Sequence, residues 1–321
     1  MKFCTTLFSL IATVDAVHDR SIPCLTVPTN VEAYRANLNM QRLENTYTIM
    51  TDCLFNSDLT DYLPSVIDYR HASNVVSPVK DQGQCGSCWA FSSAESLEGQ
   101  IGLNGHRVNV STQNFVDCVS LDYGCGGGWM DDALAYAEKT GVETDRDYPY
   151  TAVSQGCQAN VSQATIRPTD YINIPASDDA LRRALLVVGP VSIALDATDN
   201  FQSYNASDYI FNDDTCDPTT PDHALLLVGY NDIEKYWIVK NSWNTDWGLD
   251  GYIYINNTLP NMCGISSYAV VPYIEPQTVE EEKHRLVAHL QSIQEELVMT
   301  IEEDDVGLGW MDVSIRPLDF V

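Results

Sequence analysis

The chain is short of positive charge: its 321 residues include 17 Lys and Arg against 45 Asp and Glu. The net charge of −28 argues against nucleic acid or an anionic membrane surface as a partner, because both repel an acidic protein. Past the N-terminus no apolar run approaches the roughly 20 residues that cross a bilayer, so we expect no membrane span in the mature chain. A second Cys-x-x-Cys motif, typical of one class of zinc site, is also missing.

The composition is otherwise that of an ordinary globular protein, with 45% hydrophobic and 19% charged residues, and the length allows one or two domains. Ten cysteines indicate an oxidising, secretory environment. Four N-x-S/T glycosylation sequons agree with that environment; they begin at Asn109, Asn160, Asn205 and Asn256.

The two ends of the chain differ from its middle. Residues 1–16 carry one positive charge, a mostly apolar stretch and a small-residue site at Val14-Asp15-Ala16. We interpret them as a signal peptide, although a buried first strand is an alternative.

From about Ile274 onward the chain holds 12 acidic and three basic residues. An apolar stripe in this segment predicts a helix. Two interpretations remain open: a solvated helix packed on the main domain, or a segment that binds a partner or inhibits the protein. The stripe consists of Leu286, Leu290, Ile293, Leu297 and Ile301.

The most informative stretch surrounds Cys88. Apolar residues at helical spacing after Cys88 predict a helix that begins at or just before it, namely Ala90, Ala94, Leu97 and Ile101. A thiol at a helix N-terminus faces the positive end of the macrodipole, which stabilises the thiolate and lowers the thiol pKa from about 8.5. This favours Cys88 as a nucleophile. A redox pair with Cys85, or half of a zinc site, is an alternative.

A thiolate nucleophile needs a base, and the base needs an orienting group. His223 opens the apolar run 224–230, which predicts a buried strand, and residues 236–241 predict a second strand after a polar turn. An antiparallel hairpin about residue 232 or 233 makes opposed residue numbers sum to about 464–466, so His223 falls opposite residues 241–243. The amide of Asn241 can then fix the imidazole tautomer. Taken alone, His223 is better explained as a hydrogen-bonded core histidine, and only together with Cys88 and Asn241 does the catalytic interpretation become the favoured one. The other histidines lie near the N-terminus, in polar loops or in the acidic tail: His18, His71, His106, His284 and His289.

Taken together, these motifs resemble the papain family of cysteine proteases. His223 lies 135 positions after Cys88 (223 − 88), and Asn241 lies 153 after it (241 − 88), close to the spacing of that family. The resemblance extends from about Pro64 to Tyr273. It is carried by Pro78–Gly83, Cys85–Ser92 with its Cys-Gly-Ser-Cys-Trp signature, Cys125–Gly128, Asp222–Ala224, and Lys240–Trp243 with Trp247-Gly248.

The resemblance implies an α+β fold with a helical lobe, a β-barrel-like lobe and an active-site cleft between them. For the helical lobe we expect helices at Cys88, at 111–118 with Ser111 as N-cap, and at 130–139. The β-rich lobe is expected to contain strands 191–196 and 251–255 beside the hairpin.

The resemblance also implies a role for each catalytic residue. Cys88 would attack the scissile carbonyl, His223 would form its ion pair and protonate the leaving amine, and Asn241 would orient the imidazole. Gln82 and the backbone N–H of Cys88 would form the oxyanion hole, although by itself Gln82 also fits a plain turn residue. Trp243 would shield the His223–Asn241 hydrogen bond from water.

For substrate binding, the resemblance implies an extended peptide lying against Gly127 and Gly128, a stretch that a flexible loop would also explain. The subsite for the residue before the scissile one would be apolar, so we expect a hydrophobic residue there rather than Arg. Its residues, each of which core packing would also explain, would be Trp129, Met130, Ala194, Pro221, Ala224 and Tyr268.

The family pattern implies three disulfides: Cys85–Cys125, Cys118–Cys157 and Cys216–Cys263. With Cys88 free and Cys4 in the signal peptide, Cys24 and Cys53 remain and could pair within a short inhibitory propeptide at 17–62. The peptidase domain would then span 63–273, and an acidic extension would span 274–321.

The expected activity is that of an endopeptidase made as a zymogen, acting in a lysosome or vacuole or outside the cell. Its expected partners are protein or peptide substrates, its own propeptide and cystatin-like inhibitors; no cofactor and no metal are expected. Two other hypotheses are a catalytically silent binding protein of the same fold and a transpeptidase or ligase that uses the same triad.

Overall fold

The computed structural model describes residues 63–160, 162–205, 207–293, 298–303 and 311–316. The signal peptide and propeptide predicted within residues 1–62, with Cys24 and Cys53, lie outside the described residues. The helices are α1 (Cys88–Leu103), α2 (Thr112–Cys118), α3 (Met130–Thr140), α4 (Asp178–Val187), α5 (Asp199–Gln202) and α6 (Val279–Ser292). The strands are β1 (Val66–Asp68), β2 (Asp170–Asn173), β3 (Val191–Leu195), β4 (His223–Asn231), β5 (Tyr236–Lys240), β6 (Tyr252–Asn256), β7 (Tyr268–Tyr273), β8 (Val298–Glu303) and β9 (Met311–Arg316).

Helices α1, α2 and α3 surround one hydrophobic core, with Trp89, Phe115 and Leu134 among its fully buried residues. The predicted starts of these helices agree with the structure. The hydroxyl of Ser111 accepts a hydrogen bond from the backbone N–H of Asn114 and so caps α2. Helix α3 ends one residue later than predicted, before Gly141, whose φ of 78° favours glycine.

The second core lies against an antiparallel sheet in the order β2–β7–β3–β4–β5–β6, with β1 paired to β4. The β4–β5 hairpin has the predicted topology, with opposed numbers summing to 466 at Leu226–Lys240 and Leu227–Val239. Nearer the turn a register shift at Val228 raises the sum to 467. Helix α4 and strands β2 and β7 were not predicted.

The C-terminal segment corrects one prediction. The apolar stripe was predicted to continue as a helix as far as Ile301, but α6 ends at Ser292, and Ile301 lies in β8, opposite Val313 of β9. Strand β8 is hydrogen-bonded to β9, which lies outside the stripe, and a helical period within 286–301 cannot reveal such a partner. Leu297 lies outside the described residues.

Helix α6 itself packs on the main domain. A capping box between Thr278 and Glu281 begins the helix, and Ala288, Leu290 and Ile293 are buried in the same core as the sheet. The helix therefore extends the folded unit past residue 273.

Three disulfides join the pairs that the resemblance implies, and Cys88 is the free cysteine in the described part of the chain. Cys85–Cys125 ties the loop before α1 to the glycine-rich loop before α3.

Candidate active site

Cys88 is the first residue of α1 and is partly exposed. Burial, the largest single influence, raises the pKa of the Cys88 thiol, whereas a hydrogen bond to His223 and the charge of that imidazole lower it. Backbone N–H groups of Trp89 and Ala224 act in the same direction. The net effect is a lowered thiol pKa, as the position at the helix N-terminus predicts.

His223 is the first residue of β4, opposite Leu195 of β3, and is 6% exposed. Burial lowers the pKa of this imidazole, whereas the hydrogen bond and charge of Cys88, with smaller effects of Asn241 and Asp222, raise it overall. A lowered thiol pKa opposite a raised imidazole pKa favours a thiolate–imidazolium pair.

Asn241 follows β5 and holds the imidazole from the other side. Its Oδ1 lies 2.8 Å from Nε2 of His223 and also accepts the backbone N–H of Ser242 at 2.8 Å. Because an amide oxygen only accepts hydrogen bonds, Nε2 is the donor, and Nδ1 is left for Cys88. The Trp243 ring stacks on the His223 ring at 4.5 Å between centroids, so it covers this hydrogen bond from one side.

Gln82 is buried beside the same cluster. Its Oε1 accepts hydrogen bonds from Oγ of Ser242 (2.7 Å) and Nε1 of Trp243 (3.1 Å), which fixes the orientation of the amide. One proton of Nε2 goes to the carbonyl of Cys85 at 2.9 Å. The amide is thus held at its oxygen, while the second Nε2 proton has no hydrogen-bond acceptor among the described residues.

The two glycines expected to meet a peptide differ. Gly127 has a φ of 114° and open space where a Cβ would lie, so its backbone is accessible. A Cβ on Gly128 would lie 2.6 Å from the Trp89 ring and from Cγ of Asp122, so internal packing by itself explains this glycine.

A pocket of about 260 Å³ lies beside these glycines. It contains three of the six residues expected in the apolar subsite, namely Trp129, Met130 and Tyr268, and the rings of Trp129 and Tyr268 are 5.2 Å apart. Its other lining residues, which the sequence analysis missed, come from α3, β2, β7 and the residues beside the two strands: Asp131, Asn173, Ile174, Ser267, Ala269 and Val270.

Ala194, Ala224 and Pro221 do not line that pocket. Ala194 is opposite Tyr268 on one side, which places it next to the pocket within the sheet, and opposite Ala224 on the other, one strand farther away; each alanine is 5% exposed. Pro221 is partly exposed just before β4.

Asp222, whose charge contributes to the raised pKa of His223, also accepts a hydrogen bond from the backbone N–H of Ala197 at 2.8 Å. Phe201 of α5 was missed by the sequence analysis. Its ring lies edge-on to both His223 and Trp243, at 6.0 and 5.7 Å. No local pattern marks Phe201, because its contacts come from distant segments.

The described residues contain neither a cluster of three or more metal-binding side chains nor a helix able to cross a membrane.

Known proteins are similar to this chain in sequence and in fold. A sequence model described as papain family cysteine protease matches residues 63–273. Mouse cathepsin K is 40% identical over 237 residues, covering 72% of this chain and 71% of its own. Rat procathepsin L is 40% identical over 232 residues, covering 69% of each chain.

Two solved structures are also similar. The Carica candamarcensis cysteine protease in complex with E-64 is 36% identical with a TM-score of 0.60, covering 66% of this chain and 100% of that one. Digestive procathepsin L 3 of the Tenebrio molitor larval midgut is 31% identical with a TM-score of 0.62, covering 85% of this chain and 100% of that one. The family match, the two relatives and the shared fold lead to one conclusion: this chain belongs to the papain family of cysteine proteases.

Proposed function

We propose that this cysteine endopeptidase hydrolyses peptide bonds through a triad of Cys88, His223 and Asn241. The observation that carries the proposal is the imidazole of His223, held at Nε2 by Asn241 and hydrogen-bonded to a thiol of lowered pKa. These are the geometry and the electrostatics that an activated thiolate requires.

In the first half-reaction the Cys88 thiolate forms a bond to the scissile carbonyl carbon, and the carbonyl π electrons move to oxygen. The oxyanion is stabilised by the free Nε2 proton of Gln82 and by the backbone N–H of Cys88. The C–N bond then breaks as His223 gives its proton to the departing amine, which leaves a thioester on Cys88.

In the second half-reaction His223 removes a proton from water, and the resulting hydroxide attacks the thioester. The acid product leaves, and the thiolate–imidazolium pair returns. Asn241 keeps the ring in place in both halves because its oxygen accepts from Nε2 throughout.

For the substrate we propose a preference for a hydrophobic residue before the scissile residue. Support comes from Trp129, Met130, Tyr268 and Val270, which line the pocket with apolar surface. Burying a Leu-sized side chain there is worth about 1.5–3 kcal/mol, or roughly 10- to 150-fold in kcat/KM over a residue that stays in water.

We further propose that the chain is made as a zymogen whose inhibitory segment is 17–62, and that it enters the secretory pathway. The similarity to procathepsins supports the first point, and the three disulfides support the second. The segment 63–273 contains 10 basic and 26 acidic residues. Because its carboxylates become protonated at acidic pH, the repulsion between them decreases there, which suits an endolysosomal compartment.

A peptide library cut by the processed protein, compared with its Cys88→Ala variant, tests the proposal. We expect cleavage that depends on Cys88, with Leu or Phe exceeding Arg at the subsite by at least tenfold. Equal cleavage by the variant contradicts the triad, and equal use of Arg and Leu contradicts the subsite assignment.

A further inference from the structure

The hydroxyl of Tyr150 connects two segments that meet at the candidate oxyanion hole. It donates a hydrogen bond to the main-chain carbonyl of Gln82 at 2.8 Å and lies 2.6 Å from Oγ of Ser87. A phenol has one proton, which goes to the carbonyl, so Ser87 donates to the phenol oxygen. Gln82 carries one proposed oxyanion donor, and Ser87 directly precedes Cys88, which carries the other.

The surrounding structure holds the Tyr150 ring in one position. The ring lies edge-on to Phe91 of α1, with centroids 4.8 Å apart. Burial raises the pKa of the phenol, so the hydroxyl keeps its proton and can donate throughout the acidic and neutral range. The disulfide at Cys85 fixes the middle of the 82–88 loop, whereas Tyr150 connects its two ends.

We propose that Tyr150 is a positioning residue that sets the distance between the two oxyanion donors, the Nε2 proton of Gln82 and the N–H of Cys88. This inference depends on the proposed function, because it assumes that those groups stabilise the oxyanion. Displacing a catalytic group by about 1 Å can cost about 100-fold in rate, so the loss of this bridge acts on the reaction more than on substrate binding.

The test is the Tyr150→Phe variant, which removes one oxygen atom and keeps the ring. We expect kcat on a fluorogenic peptide to decrease by about tenfold while KM stays within twofold. The reason is that a displaced donor weakens the stabilisation of the oxyanion, which develops in the transition state, more than it weakens substrate binding.

A peptide aldehyde isolates the oxyanion effect. The Cys88 thiolate adds to its carbonyl carbon, so that a C–S bond forms while the C=O π bond breaks and its electron pair moves to the oxygen, which then lies in the proposed hole. We expect its affinity to decrease in parallel with kcat. Alkylation of Cys88 by iodoacetamide forms no oxyanion, so its rate and pH profile are expected to match the wild type.

Tyr148→Phe is the matched control. The Tyr148 hydroxyl donates to Asp117 at 2.8 Å and accepts the N–H of Gln158, away from the 82–88 loop, so kcat is expected to stay within twofold. Ser87→Ala removes the other side of the bridge and should lower kcat in the same direction. It provides a second measurement if Tyr150→Phe unfolds, which circular dichroism would show.

The inference is overturned if Tyr150→Phe folds and keeps wild-type kcat and aldehyde affinity, or if its alkylation rate decreases as much as its kcat. Failure of the proposed function looks different, since wild-type activity would then survive Cys88→Ala.

Discussion

Arg285 of α6 offers a sharp test of whether the C-terminal extension belongs to the folded domain. Arg285 is 2% exposed, and its guanidinium donates hydrogen bonds to Oε1 of Gln100, Oδ1 of Asn104 and the carbonyl of Ile274, at 3.0, 3.1 and 3.0 Å. Gln100 and Asn104 lie at the C-terminal end of α1 and are themselves buried. At 1.5 Å per residue this contact lies about 20 Å along α1 from Cys88.

Replacing Arg285 by Met keeps most of the aliphatic volume but leaves Oε1 of Gln100 and Oδ1 of Asn104 without this donor, whereas the Ile274 carbonyl still accepts from Nδ2 of Asn104. Each buried acceptor left without a partner costs about 1–3 kcal/mol. For two such acceptors we expect the free energy of unfolding to decrease by about 2–6 kcal/mol. For a domain of this size that corresponds to a Tm lower by about 10 °C.

The assay is guanidinium unfolding of the processed protein in a Cys88→Ala background, which prevents self-digestion. The matched control is Lys283→Met on the same helix: its ammonium is 40% exposed and 3.9 Å from Glu280, so we expect a change below about 0.5 kcal/mol. Equal stability of Arg285→Met and the control would refute the reasoning. With Cys88 present, kcat/KM of Arg285→Met at 25 °C should stay within about twofold of the wild type because of its distance from the triad.

Two further predictions concern the triad. Asn241→Ala should lower kcat/KM by about 10- to 100-fold, since a buried hydrogen bond to a charged group contributes roughly 1.5–3 kcal/mol; fluorogenic peptide kinetics measure this, and a change below threefold would contradict the orienting role. In the wild type, alkylation of Cys88 should remain fast at pH values below those at which an ordinary thiol ionises, because His223 lowers the thiol pKa. In His223→Ala the inflection should move to higher pH, because burial is then opposed only by the backbone N–H groups of Trp89 and Ala224 and by the helix N-terminus; an unmoved pH–rate profile would exclude the ion pair.

Local patterns predicted much of the helical lobe and the centre of the site. Helix α1 was predicted from apolar spacing after Cys88, the N-cap of α2 from Ser111, and the end of α3 from Gly141. The hairpin was predicted from two apolar strands and a polar turn, and its arithmetic placed His223 near Asn241. Each of these inferences uses residues within about one element of each other, where periodicity and capping chemistry act.

Predictions that depend on partners outside the segment from which they were made were incomplete or wrong. The lining of the pocket by Asn173 and Ser267 depends on β2 pairing with β7, about 100 positions later in the chain. Gly128 lies against Trp89, which no spacing within its own loop indicates. The end of α6 was misplaced because β8 pairs with β9 instead of continuing the helix.

The sequence by itself determined the groups on which the proposed chemistry rests: a cysteine at a helix start, a histidine and an asparagine brought together by one hairpin, and enough cysteines for the three bridges. Tertiary structure alone decided how Tyr150 connects Gln82 to Ser87, which residues line the subsite, and that α6 is anchored by a buried Arg285. The physical reason is that helix caps, helix dipoles and the alternation of apolar and polar residues act over a few residues, so they can be recognised in the linear sequence. Burial and hydrogen-bond satisfaction depend instead on segments that meet only when the chain has folded.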